Sequence, residues 1–175
     1  KLPADGTYFV HLSDTGRSGG AEYAYRLRIS APRPDFALRV VPSSIALRSK
    51  SSTSVSVYAI RKDGFTDPIS ITLKDPPAGF VASPVSLVGT QQVARVTIKA
   101  DLKDTKAPVN LQVEGKAKAG STEIARVAVP AEDRMQAFLW RHLVPAEDFK
   151  ALVYDPNYQP PPKRVSRLAT TTAKR

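Results

Sequence analysis

The residues with the most chemical potential sit in one short run, Gly16-Arg17-Ser18-Gly19-Gly20. It fits the G-x-S-x-G pattern, in which a sharp strand-to-helix turn lifts a serine clear of the backbone as a nucleophile. Such a serine also needs a histidine and an acid brought to it. The chain offers only His11 and His142. His11 falls in a strand-like stretch just before the run. Glu22–Ser30, just after it, alternates as a strand where an elbow demands a helix. The expectation is a loop of small residues and no catalytic residue.

The other candidates are also weak. His11 and His142 as metal ligands lack a second histidine at helical or strand spacing. The absence of Cys removes thiolate zinc sites, cysteine nucleophiles and disulfides together. Glu132/Asp133 and Glu147/Asp148 are adjacent acids, which point to opposite faces of an extended chain and do not converge by themselves. A calcium site takes about six oxygens from several segments. Asp5, Asp14, Asp63 and Asp67 lie in loop-like stretches and are the weak calcium candidates. No cofactor is expected. Trp140 and Phe138, with Met135, form a candidate binding patch, although cover for a core is the plainer use of such side chains. Lys163, Arg164, Arg167, Lys174 and Arg175 form a basic tail that could contact a polyanion, but no aromatic ladder for stacking bases accompanies it.

Charge supports that ranking. The net charge is +10, from 26 Lys and Arg against 16 Asp and Glu. Residues 156–175 hold five of the bases and no acid, so half of the excess rides on the tail. Nucleic-acid binders more often concentrate charge on the folded body, so nucleic acid is not an expected partner. No apolar run is long enough to span a membrane as a helix. Lys1 is not followed by a charged-then-apolar leader. Residues 1–12 read as the middle of a domain, so the expectation is the C-terminal part of a longer protein with any export signal upstream.

The positioning elements are strands. In Glu22–Ser30, Tyr23, Tyr25, Leu27 and Ile29 share one face. Tyr8, Val10 and Leu12 alternate earlier, and the two stretches predict a hairpin across the Gly-rich loop. Two strands alone cannot bury an apolar face. After Pro32 and Pro34 the alternation restarts, with Phe36/Leu38/Val40, Val55/Val57/Ala59, Ile69/Ile71/Leu73, Ala94/Val96/Ile98, Val109/Leu111/Val113 and Ala125/Val127/Val129. Turn residues such as Lys62-Asp63-Gly64 and Asp75-Pro76-Pro77-Ala78-Gly79 separate them. This predicts an antiparallel β-sandwich of about seven strands. Residues 130–153 mix a helix-start pattern (Pro130, Glu132, Asp133) with strand-like alternation, and extended structure with at most one short helix is expected. Val-Pro-Ala-Glu-Asp occurs at 129–133 and again at 144–148, and reads as two similar turn entries. The Pro-rich, basic stretch after Asp155 predicts a disordered tail.

Two resemblances follow. Ala4-Asp5-Gly6-Thr7-Tyr8 and Glu22-Tyr23-Ala24-Tyr25-Arg26-Leu27 resemble the last strands of the bacterial pre-peptidase C-terminal domain, a jelly-roll-like domain of secreted multidomain proteins. Val41-Pro42-Ser43-Ser44, Arg61-Lys62-Asp63-Gly64-Phe65 with Pro68-Ile69, and Pro76-Pro77-Ala78-Gly79-Phe80 resemble a bacterial immunoglobulin-like module. The resemblances imply an accessory, adhesive or spacer role outside the cytoplasm. They imply other β-domains of the same parent chain, or an extracellular protein or polysaccharide, as partners. They transfer no catalytic residue. The expected layout is a hairpin at 1–32, an immunoglobulin-like β-sandwich at 33–153 and a tail at 154–175.

Overall fold

A computed structural model describes residues 4–136 and 140–157; the side chains of residues 135–141 lie outside the description. Contacts divide the chain into two compact units, Lys1–Ala31 and Pro32–Arg175.

The second unit is an all-β sandwich, with no helix among the described residues. Its strands are β1 (Asp35–Val41), β2 (Ser44–Arg48), β3 (Ser52–Lys62), β4 (Ile69–Leu73), β5 (Phe80–Ala82), β6 (Val85–Leu87) and β7 (Val93–Ala100). β8 (Val109–Leu111), β9 (Val113–Ala119), β10 (Thr122–Val127), β11 (Val129–Gln136), β12 (Trp140–Pro145) and β13 (Phe149–Tyr154) follow. They make a six-stranded sheet, β12-β11-β1-β3-β7-β5, a four-stranded sheet, β10-β9-β4-β6, and a three-stranded sheet, β2-β13-β8.

Period-2 patterning explains the core. β3 and β7 are rich in β-branched residues, which suit a pleated surface packed on one side. Val55, Val57, Val96 and Ile98 point inward and are fully buried, as are Phe36, Leu38 and Val40 of β1 and Ile69 and Ile71 of β4. Buried residues of all three sheets form one cluster. The layers meet closely at Gly115 of β9. A Cβ there would lie 2.5 Å from Leu38 Cδ1, 3.0 Å from Ile69 Cγ2 and 3.2 Å from Phe36 Cε2. Side chains of β1 and β4 therefore pack directly on the β9 backbone at Gly115, and a Cβ there would force at least one of them to shift.

Turns fix the strand order. Phe65 N–H bonds the Lys62 carbonyl at 3.0 Å, and Asp63 and Gly64 both take positive φ, 49° and 77°. These are the signs of a type I′ turn. It folds Phe65 back onto Phe36, with ring centroids 5.4 Å apart. Gly79, at φ 86°, closes the Pro-rich corner, where Phe80 N–H reaches the Pro77 carbonyl at 3.1 Å.

Several expectations are corrected. The hairpin at 1–32 is not formed: among residues 4–34 no strand is present. Its apolar side chains stand exposed, from Tyr8 and Val10 to Tyr25 and Ile29. Two short segments gain too little burial to hold a ladder by themselves. The sandwich is mixed and not purely antiparallel, since β1 pairs β11 in parallel and β13 pairs β2 in parallel. Ala125, Val127 and Val129 do not face the core. They are exposed, while Ala128 and Ala131 are buried: Ala125 and Val127 lie on β10, an edge strand whose solvent side tolerates single apolar residues, and Val129 begins β11 opposite Arg39 of β1. Among the described residues of 130–153 there is no helix, only β11, β12 and β13. The expected disorder of the tail concerns residues that lie almost wholly outside the described ones.

Candidate functional site

The Ser18 loop is organised by Asp14. Its carboxylate accepts from Gly16 N–H at 2.8 Å and Ser18 N–H at 3.3 Å, and its carbonyl accepts from Arg17 N–H at 3.1 Å. Asp side chains commonly cap such turns. Among the described residues no hydrogen bond links the Ser18 hydroxyl to a histidine or an acid, and no helix follows the loop. His11 is exposed in the first unit; His142 is exposed on β12, opposite Arg134 of β11.

The calcium candidates are divided between the two units. Asp5 and Asp14 belong to the first unit, Asp63 and Asp67 to the second. Asp63 accepts from Arg33 N–H at 2.9 Å. Asp67 lines a shallow depression together with Lys116 and Lys118, cations that oppose a bound metal ion. Among the described residues no three His, Asp or Glu side chains gather as a metal site. Phe138 lies outside the described residues, and Trp140 is described only as the first residue of β12. Lys163, Arg164, Arg167, Lys174 and Arg175 also lie outside them.

The duplicated pentapeptide does two different jobs. In the first copy, Glu132 accepts from both the hydroxyl and the N–H of Ser43, the latter at 3.0 Å. These bonds, with Arg134 nearby, outweigh burial and hold the Glu132 carboxyl below its ordinary pKa. In the second copy, Asp148 accepts from Asn110 at 3.3 Å and pairs with Lys150 at 3.0 Å. The copies meet at the base of the β11–β12 hairpin, where Ala131 pairs with Pro145. Asp35 at the start of β1 is a second ionised staple. Burial opposes its charge, but Phe36 N–H, Arg126 and Lys62 prevail and lower its pKa. The Arg126 bridge measures 3.1 Å.

Sequence reading missed the outer faces of the sheets. The four-stranded sheet turns balanced charge to solvent. Lys116 lies 3.4 Å from Glu114, and Glu123 stands opposite Lys118. The six-stranded sheet differs. β3, β5 and β7 contain no Asp or Glu at all. The outward rows place Arg39 beside Tyr58 and Ser56 beside Arg95, and Lys99 follows beyond Thr97 on β7. Among the described residues none of these three cations forms an ion pair. The signal was in the sequence as odd-numbered basic residues on two strands, but only strand register gathers them.

With the geometry in place, comparison adds little. No family model matches the chain, and no curated protein matches it. Among solved structures, it is similar to a chain from work on the "structural basis of T cell specificity and activation by the bacterial superantigen toxic shock syndrome toxin-1", at 9% identity over 68% of this chain and 99% of that one, with a TM-score of 0.32. That likeness carries no argument about function. No helix among the described residues is long and apolar enough to cross a membrane.

Proposed function

We propose that this chain is a non-catalytic structural and binding module of a secreted or cell-surface multidomain bacterial protein. It acts as a spacer, an adhesion unit or a binder of protein or carbohydrate. The observation that carries the reading is how the polar side chains are used: no polar or charged residue is buried among the described residues. Those of the described residues considered for chemistry lie at the surface, in turns or in staples between strands. A core of this kind supports a rigid carrier whose work is done on its outer faces. The immunoglobulin-like character and the extracytoplasmic location rest on the resemblances of the sequence. The exposed apolar side chains of the first unit favour further β-strands of a parent chain as their cover, in keeping with a remnant of a pre-peptidase C-terminal domain.

The test of location is surface labelling of intact cells that express the full-length protein. Labelled protein on the cell exterior or in the medium is the expected result, and protein confined to the cytosol sinks the reading. A second reading makes the chain the accessory part of a secreted peptidase or other hydrolase. The sequence of the full-length gene separates the two: a catalytic domain before Lys1 favours the second, and further β-modules favour the first.

A further inference from the structure

The outer face of the six-stranded sheet is basic over β3, β5 and β7, which hold no acid; the acids of the sheet, Asp35 on β1 and Glu132 and Asp133 on β11, lie toward its other edge, where Asp35 pairs with Arg126 and Glu132 with Ser43. Three positions define the basic face. Arg39 lies on β1, and Arg95 and Lys99 lie on β7, with β3 between the two strands. Strand spacing and rise put Arg39 about 12 Å from Arg95, and Arg95 about 13 Å from Lys99. Arg95 and Lys99 are exposed and Arg39 is half-buried. Hydroxyl groups fill the intervals: Ser54 and Thr97 touch at 3.2 Å across β3 and β7 and are both exposed. Tyr58 stands beside Arg39, and offers a flat ring between charges. The same fold neutralises its other outer face with Glu114 and Glu123. The lack of acid on β3, β5 and β7 is therefore a property of those strands and not of the module as a whole.

We infer that this face binds an acidic polysaccharide through Arg39, Arg95 and Lys99. The inference deepens the module reading above and rests on it. The spacing selects the ligand class. A nucleic acid presents one charge every few ångströms, and three cations more than a Debye length apart leave most of those charges unanswered. Binders of single strands also need several stacking aromatics, and this patch has Tyr58 alone. A polysaccharide with carboxylates separated by neutral sugars matches both the interval and the hydroxyl groups between the cations.

The probe is immobilised hyaluronan, with neutral dextran and single-stranded DNA as the comparison ligands. The full chain is expected to bind hyaluronan, to ignore dextran, and to weaken as salt rises from about 50 to 200 mM. The triple change Arg39→Ser, Arg95→Ser, Lys99→Ser should cost at least about tenfold in affinity and leave binding less sensitive to salt. The control Lys74→Ser, Lys116→Ser, Lys118→Ser removes as much charge elsewhere and should retain most of the binding. Arg95→Glu alone, a single exposed change, should lower affinity severalfold with an unchanged melting temperature. That variant keeps the test decisive even where the triple variant folds poorly. Equal losses in the two triple variants, binding that vanishes only when residues 156–175 are removed, tighter binding to DNA than to hyaluronan, or no binding to hyaluronan at all overturns the inference. An exported chain that ignores hyaluronan sinks this inference alone. A cytosolic chain that binds it through this face sinks the module reading alone.

Discussion

Residues 22–30 and β7 carry the same pattern and meet opposite fates. Both alternate apolar and polar side chains along a short stretch. On β7, Ala94, Val96, Ile98 and Ala100 are buried. On the earlier stretch, Tyr25 is 76% and Ile29 77% exposed. The difference is company. β7 pairs with β3 through seven registers and with β5 on its other side, and its inner face joins a core fed by three sheets. The first unit has no ladder among its described residues. Alternation creates a face, but only a second layer turns that face into stability, at about 1.5–3 kcal/mol for each large side chain buried.

Truncating one large side chain from each region tests this most severely. Phe36→Ala removes a ring that packs on Phe65 and stands over Gly115. It should cost about 3–5 kcal/mol in urea or thermal unfolding. Tyr25→Ala, from a more exposed site, should change stability by less than about 0.5 kcal/mol. A large loss at Tyr25 would break the comparison, because it would mean that the first unit contributes to the cooperative core.

Glycines give the next contrast. Gly115→Ala pushes a methyl into Leu38, Ile69 and Phe36 and should cost about 1–3 kcal/mol through overpacking. Gly19→Ala meets nothing within 4 Å and should leave the melting temperature where it is. The pair reads close packing directly, since the added group is the same.

Acid should strip the sandwich of two staples that the first unit does not supply. The carboxyls of Glu132 and Asp35 are held below their ordinary pKa in the fold. Their contribution is therefore complete above the ordinary carboxylate values and lost as pH falls through the folded ones. Unfolding midpoints should start to drop as pH falls into the ordinary carboxylate range and keep dropping below it. Glu132→Gln should cost about 1.5–3 kcal/mol at neutral pH, as expected for a hydrogen bond to a charged group. It should also flatten that drop. An unchanged pH profile in the variant would remove Glu132 from the account.

How much of this the sequence held is best seen strand by strand. The inward residues of β1, β3, β4 and β7 followed from alternation alone, because each of these strands has a covered face and a wet one. Phe65 was not legible as core, since it belongs to a turn that only the fold aims inward. The parallel pairings of β1 with β11 and β13 with β2 were hidden, because periodicity names a face and never a neighbour. Pro130, Glu132 and Asp133 imitated a helix start, but Glu132 is spent on Ser43 instead. Arg39 and Arg95 are far apart in sequence, and only β3 sets them two strands apart. The Ser18 run and the basic tail are clusters in sequence, whereas the charged face is a cluster only in space.

The smallest expected effect bears on the exposed half of the comparison. Leu27→Ser with Ile29→Ser replaces two exposed apolar side chains in the first unit by polar ones. Stability of the sandwich should move by less than about 0.5 kcal/mol. Binding of a dye that reports exposed apolar surface should fall measurably, because contiguous apolar surface is what such dyes detect and what partners use. Dye binding that stays level would mean that these side chains are already covered in solution, and the first unit would then differ from the sandwich in what covers it and not in whether it is covered.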